Sequence, residues 1–195
     1  MSGVSRRIFS LTAAVLAGLL ALSCSETNRQ RSPVSVILST AQTLNVLDLV
    51  GGTGCEQNIG TITIQTKTVQ NAANSGEGVN NSLNGVRLTR YRVSYSRTDG
   101  GKLVPAPFVR GMDVFIDPGS TSDLTTFLVL EPDARSMAPF VALQPENGGR
   151  DPETGRPFVG LQVNFEVFGE TLAGENVTGS TQFPLDFCFS CGGCR

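Results

Sequence analysis

The chain has 195 residues, with 15 Lys and Arg against 17 Asp and Glu, a formal net charge of -2, and neither histidine nor tryptophan. That balance, with no dense basic run, excludes the electrostatic footprint of a nucleic-acid-binding protein. The missing histidine removes the usual general base at neutral pH and the commonest zinc and copper ligand.

Arg6 and Arg7 precede an apolar run over residues 8–22, which ends at Ala21-Leu22-Ser23-Cys24. A charged start, a short apolar middle and a small residue before a cut is the pattern of a secretory signal. The run is shorter than the roughly 20 apolar residues a bilayer span needs. The tetrapeptide resembles the lipobox of bacterial lipoproteins, and the resemblance implies cleavage before Cys24 and lipidation of that cysteine. Ser5-Arg6-Arg7-Ile8-Phe9-Ser10-Leu11 is similar to the twin-arginine export signal Ser-Arg-Arg-x-Phe-Leu-Lys, although Ser10 and Leu11 depart from its last two positions. Two adjacent arginines also serve any positively charged leader. In the lipoprotein family, Ser25 after the lipidated cysteine permits sorting to the outer membrane. The chain is then expected in the cell envelope, held to the membrane by lipid and facing the periplasm or the cell surface. One acyl chain holds only marginally, whereas two or more anchor stably at about 0.8 kcal/mol per buried methylene.

Residues 1–23 are thus expected to be a signal peptide, 24–43 a lipidated N-terminus with its tether, and 44–195 one domain. Residues 25–33 are polar and have no apolar period, so they read as a flexible tether reaching about 30 Å at roughly 3.3 Å per residue. The folded part is expected to begin within 34–50.

Beyond the tether, abundant glycine, scarce lysine and recurrent Thr, Val and Phe in short runs predict an all-β domain with many turns. Ile62 and Ile64 mark a strand within 59–69. Val86 and Leu88 mark another, but the apolar parity then jumps to Tyr91, Val93 and Tyr95, which is the signature of a β-bulge. Asp99-Gly100-Gly101 ends that strand with a turn. Residues 112–116 and 124–130 are apolar on both parities, predicting strands covered on both sides, with Pro118-Gly119 between them. Residues 140–143 predict one more short strand, and 147–157 a long turn-rich loop. Val159, Leu161, Val163, Phe165 and Val167 alternate strictly with Gly160, Gln162, Asn164 and Glu166, so one face is buried and one wet. After a turn at 172–176, Val177, Phe183, Leu185, Phe187 and Phe189 resume the pattern, and the two runs are expected to pair as an antiparallel hairpin. Pro184 lies on the opposite parity and cannot donate to a ladder, which predicts an edge strand or a bulge there.

About seven or eight short strands with regular turns predict an antiparallel β-sandwich. Tyr91-Arg92-Val93-Ser94-Tyr95 and the closing hairpin resemble bacterial immunoglobulin-like or fibronectin type III-like domains, without the core tryptophan common there. A likeness of this kind does not carry function.

Besides Cys24, four cysteines remain: Cys55, Cys188, Cys191 and Cys194. An even number in an exported chain argues for disulfides, with three possible pairings. By strand parity Cys188 faces away from the phenylalanines. One tail cysteine is expected to reach Cys55, behind Gly51-Gly52-Thr53-Gly54, and the other two to pair with each other. A bridge enclosing nearly the whole domain would contribute about 4–5 kcal/mol on the chain-entropy account. The alternative is a metal or iron–sulfur centre, since Cys188-x2-Cys191-x2-Cys194 has the spacing of three ferredoxin thiolates and Cys55 could be the fourth. The nearby fourth cysteine and proline of the ferredoxin run are missing.

Enzyme motifs fail in turn. No Gly-x-Ser-x-Gly occurs, and Lys67 and Lys102 have Ile64 and Asp99, not serine, three positions before them. Gly101-Lys102 is followed by Leu103, so it is no phosphate loop, and Gln57 stands where a dinucleotide fingerprint starting at Gly52 needs its third glycine. Asp113, Asp117 and Asp123, or Asp151 with Glu153, are the carboxylates available for calcium or glycoside chemistry, with solvated turn residues as the plainer reading. Arg87, Arg90, Arg92 and Arg97 form either a basic stripe for an acidic glycan or partner, or exposed positions that the phase slip splits across both faces.

The expectation is a non-enzymatic binding or structural module without cofactor, anchored to the membrane at Cys24. It would contact another envelope protein or a glycan, but no nucleic acid, through the closing edge strand and the 147–157 loop. An envelope metal or redox protein using Cys55, Cys188, Cys191 and Cys194 is the alternative, and a carboxylate hydrolase a third.

Overall fold

A computed structural model describes residues 32–42, 45–50, 60–68 and 82–191. The strands, in chain order, are β1 (Val34–Gln42), β2 (Val46–Asp48), β3 (Gly60–Thr68), β4 (Val86–Arg97), β5 (Phe108–Ile116), β6 (Thr121–Leu124), β7 (Phe158–Thr171) and β8 (Asn176–Cys188). They form a three-stranded sheet, β1-β3-β6, and a five-stranded sheet, β2-β8-β7-β4-β5. Every ladder is antiparallel except the short β2–β8 pair. Among the described residues the rest of the regular structure is short 3-10 turns, so the all-β expectation holds.

The strict alternation of β7 and β8 becomes the expected hairpin, in register from Phe158↔Cys188 to Glu170↔Asn176. Val159, Leu161, Val163, Phe165 and Val167 are all buried, and Val177, Phe183, Leu185 and Phe187 share the same core. Burying each such side chain contributes about 1.5–3 kcal/mol. Pro184 costs no ladder bond. The Asp186 amide, two residues on, donates away from β7 to the Asn45 carbonyl. By the two-residue repeat, the missing N–H of Pro184 lies on that same outer side, before β2 begins to pair at Val46↔Asp186. The β8 strand is therefore marginal at Pro184, as its sequence predicts.

The parity jump in β4 is also real. The ladders to both neighbours shift register between Leu88 and Arg90, which keeps Val86, Leu88, Tyr91 and Val93 all in the core. Gly169 lies opposite the bulge, paired with Leu88. A Cβ there would press on the Arg87 carbonyl oxygen and lie 2.8 Å from the Leu88 Cα, so the bulged backbone occupies the space of a side chain. Gly169→Val should lower the unfolding free energy by about 1–3 kcal/mol through overpacking. Urea titration checks this, and an unchanged midpoint would mean that the bulge can move aside.

Gly179 serves a second close approach, where the two sheets meet. A Cβ there would lie 2.8 Å from the Val36 carbonyl oxygen of β1, with the Leu38 side chain nearer still. Its absence lets Val34, Val36 and Leu38 join the core of the five-stranded sheet.

Four expectations need correction. The folded part begins at the early edge of the expected 34–50 window, so the division at residue 44 moves to 34: residues 34–42 form β1, because Val34, Val36 and Leu38 alternate into the core. Residues 112–116 belong to β5, a strand at the sheet margin with one wet face: Val109 and Phe115 are 57% and 51% exposed. Of residues 124–130, only Leu124 ends a strand. The buried Val129 and Leu130 lie on irregular chain. That segment is held by side chains: the Leu128 amide donates to the Tyr91 hydroxyl, 3.2 Å, and the Tyr95 hydroxyl donates to the Val129 carbonyl, 2.6 Å. Finally, Phe140–Leu143 is a 3-10 turn whose Phe140 packs on Phe187 with ring centres 5.0 Å apart.

Candidate functional site

Three constellations gather the chemistry-bearing side chains. The first is the cysteine turn. Cys188 closes β8 between Asp48 of β2 and Phe158 of β7. The chain then reverses at Ser190, which has φ 55, and returns Cys191 to within 5.9 Å of Cys188, Cα to Cα. The two sulfurs are joined as a disulfide. The expectation that two tail cysteines pair with each other names neither of them, and its other half, a bridge to Cys55, lies outside the described residues. Cys188 stays outside the main apolar cluster yet is buried beside the Leu47 carbonyl. Asp48, which sequence reasoning passed over, organises the turn. Its Oδ1 accepts from the Ser190 amide at 2.9 Å and the Val50 amide at 3.0 Å. Two sulfurs joined to each other cannot also serve as thiolate ligands, so this bond and a four-cysteine metal centre exclude one another. Arg6, Arg7, Cys24, Cys55 and Cys194 lie outside the described residues.

The second is a buried knot at the end of β4. Arg97 stays in phase with Tyr91, Val93 and Tyr95, so its side chain runs inward and is 3% exposed. It grips Asp99 with two parallel bonds, Nε to Oδ1 at 2.7 Å and Nη2 to Oδ2 at 2.9 Å, and Nη2 also reaches Asp151 Oδ2 at 2.6 Å. Nη1 donates to the Leu103 carbonyl and faces Glu153 at 3.5 Å. Asp99 and Asp151 are 2% and 0% exposed, which corrects the reading of Asp151 as a solvated turn residue. The reason is cooperative. The 98–103 turn and the 147–157 loop fold over the same guanidinium, and Glu153 accepts both the Lys102 and Leu103 amides at 2.8 Å.

Burial by itself would raise the Asp99 carboxyl. The Arg97 guanidinium, with the Gly160 and Gly101 amides, outweighs that and holds it well below the usual range. At Asp151 burial again opposes, and the Thr154 hydroxyl and Arg97 win, so that carboxyl too is lowered. These carboxylates are locked as anions and fully bonded. Such groups hold loops in place, whereas a general acid needs a pKa near the working pH. Of the other acids, Asp113 lies on β5 and bonds Arg87, and Asp123 lies on β6 in the other sheet and accepts from Thr63. The fold does not bring them together.

The third is the outer face of the five-stranded sheet, and here the bulge corrects the reading that splits the arginines across both faces. It moves the buried parity from 86 and 88 to 91 and 93, so Arg87, Arg90 and Arg92 all emerge on the one wet face. Only Arg97 turns inward. Arg87 pairs with Asp113 at 2.9 Å and Arg92 with Glu166. Arg90 lies over the Phe168 ring, 5.2 Å to its centre, and Arg92 stands 5.7 Å from the same ring.

The chain matches no protein-family model, no curated protein and no solved structure.

Proposed function

We propose that this chain is a lipid-anchored, non-enzymatic module of the bacterial cell envelope, which binds an envelope protein or glycan while held to the membrane through Cys24. The observation that carries the reading is the run Arg6-Arg7, an apolar middle and Ala21-Leu22-Ser23-Cys24, which resembles a lipoprotein signal. It draws support from the Cys188–Cys191 disulfide, a bond that persists in oxidising compartments outside the cytosol. The buried charges support it too, since they are spent on one another in the Arg97 knot. The margin of β8 ahead of Leu185 and the 147–157 loop are its contact surfaces.

An immunoglobulin-like sandwich is the finer fold within this proposal. The order β2-β8-β7-β4-β5 supports this reading, because it can be aligned with the sheet of such domains that carries their F, G and C strands, and β1-β3-β6 would then be the opposing sheet. Tyr91, stacked on Phe165 with ring centres 4.9 Å apart, then takes the place of the missing core tryptophan.

The test is the intact mass of membrane-extracted protein, denatured without reductant, with and without thiol alkylation. A lipid-sized increment on a chain that starts at Cys24 is expected, with no alkylatable thiol at Cys55, Cys188, Cys191 or Cys194. Cys24→Ser should abolish both the increment and the cleavage. An unlipidated chain refutes the anchor, and free thiols with stoichiometric metal would transfer the reading to a metal or redox protein.

A further inference from the structure

The outer face of the bulge holds a groove of about 460 Å³, into which Thr89, Arg90, Phe168, Glu170, Asn176 and Thr178 project or border. Its charges are not equivalent. Glu170 sits opposite Arg87 in the ladder, and Arg87 and Arg92 have carboxylate partners of their own. Arg90 has none among the described residues, and its guanidinium is laid against the Phe168 ring instead. A guanidinium stacked on a ring leaves its fork of N–H donors available and favours one pose, which suits a bidentate anion. Around it stand two hydroxyls and one carboxamide, each able to donate and to accept. A planar cation, an aromatic edge and a ring of two-way hydrogen-bonding groups complement a sugar that carries a carboxylate.

We propose that this groove binds an acidic saccharide, with Arg90 clamping a sugar carboxylate and Thr89, Asn176 and Thr178 engaging ring hydroxyls. The inference deepens the binding role proposed above and rests on it, choosing glycan over protein and a site on the sheet face. Phe168 positions Arg90 and lends the groove its apolar wall.

The test is calorimetric titration of the full chain, extracted from membranes in detergent, with trigalacturonate and with the neutral maltotriose. Trigalacturonate should bind and maltotriose should not, and binding should weaken as salt rises, because an exposed ion pair is screened. Arg90→Ala should weaken binding about tenfold or more, the loss expected for a hydrogen bond to a charged group. Arg90→Lys keeps the charge without the fork and should fall between. Lys67→Ala, which removes an equal charge from β3 in the other sheet, should leave binding unchanged. Equal binding of both sugars, binding of neither, or full affinity in Arg90→Ala overturns the proposal. Self-association that Arg90→Ala abolishes would overturn it too, making the groove a protein interface. The lipid increment, read on the same preparation, separates the two claims. Normal lipidation without sugar binding refutes the groove and leaves the anchor standing, and the reverse result does the opposite.

Discussion

Arg97→Ala should lower the unfolding free energy by about 3–5 kcal/mol, the loss typical when one partner of a buried ion pair is removed and its counter-charges stay behind. Asp99 and Asp151 would then be desolvated anions facing each other with only amide and hydroxyl donors left. For a domain of this size the melting temperature should fall by on the order of 10 °C. Arg97→Lys should recover part of the loss, since the charge remains but the double grip on Asp99 does not.

The pH dependence is a sharper readout. Both carboxyls are depressed in the folded chain. Their contribution is therefore fully present above the unfolded carboxylate value of about 4 and is lost as pH falls through the folded values. The wild-type chain should be level from neutral pH to about 5 and lose stability steadily below 4. In Arg97→Ala the depressing charge is gone while burial still favours the protonated acids, so the acid limb should be much shallower. Melting curves between pH 7 and 2.5 decide the matter. Parallel acid limbs in the two proteins would show that the knot is not the source of acid sensitivity.

Phe165→Ala should cost about 3–5 kcal/mol, the range for emptying a large aromatic from a packed core. Phe165 is fully buried, stacked on Tyr91 at 4.9 Å and met edge-on by Phe127 at 5.3 Å. Removing it strips β7 of its central contact and leaves both Tyr91 and the 125–131 segment without a wall. Urea unfolding should show a lower midpoint at nearly constant slope, because the surface exposed on unfolding barely changes. A loss under about 1 kcal/mol would mean that the neighbours collapse into the space and that the stack is not central.

How far the fold was legible depended on where each segment finds its hydrogen bonds. In β7, β8 and β4 the backbone bonds its neighbours in ladders, so one face must be apolar at every second residue. The period, and even the bulge, could be read directly. Residues 125–131 and Phe140–Leu143 are as apolar as strands, but tyrosine hydroxyls and local turn bonds satisfy their backbones, and no one-dimensional pattern records that. The arginines misled for a related reason. A phase slip moves the buried set and the exposed set together, so residues of opposite parity, Arg87 and Arg90, share one face.

What the sequence by itself determined is the all-β class, the β7–β8 hairpin, the bulge in β4 and the margin at Pro184, all consequences of side chains alternating along a single strand. Its lipobox-like N-terminal pattern and cysteine spacing also set the terms of the functional proposal. Tertiary structure alone decided which charges are buried, because Arg97, Asp99, Asp151 and Glu153 are spread over 57 residues and meet only when two loops close on one guanidinium. It also decided that Asp48 would tie the cysteine turn and that Arg90 would stand without a carboxylate partner among the described residues. Burial and pairing of charge depend on which strands become neighbours, and that is a property of the packed chain rather than of any segment of it.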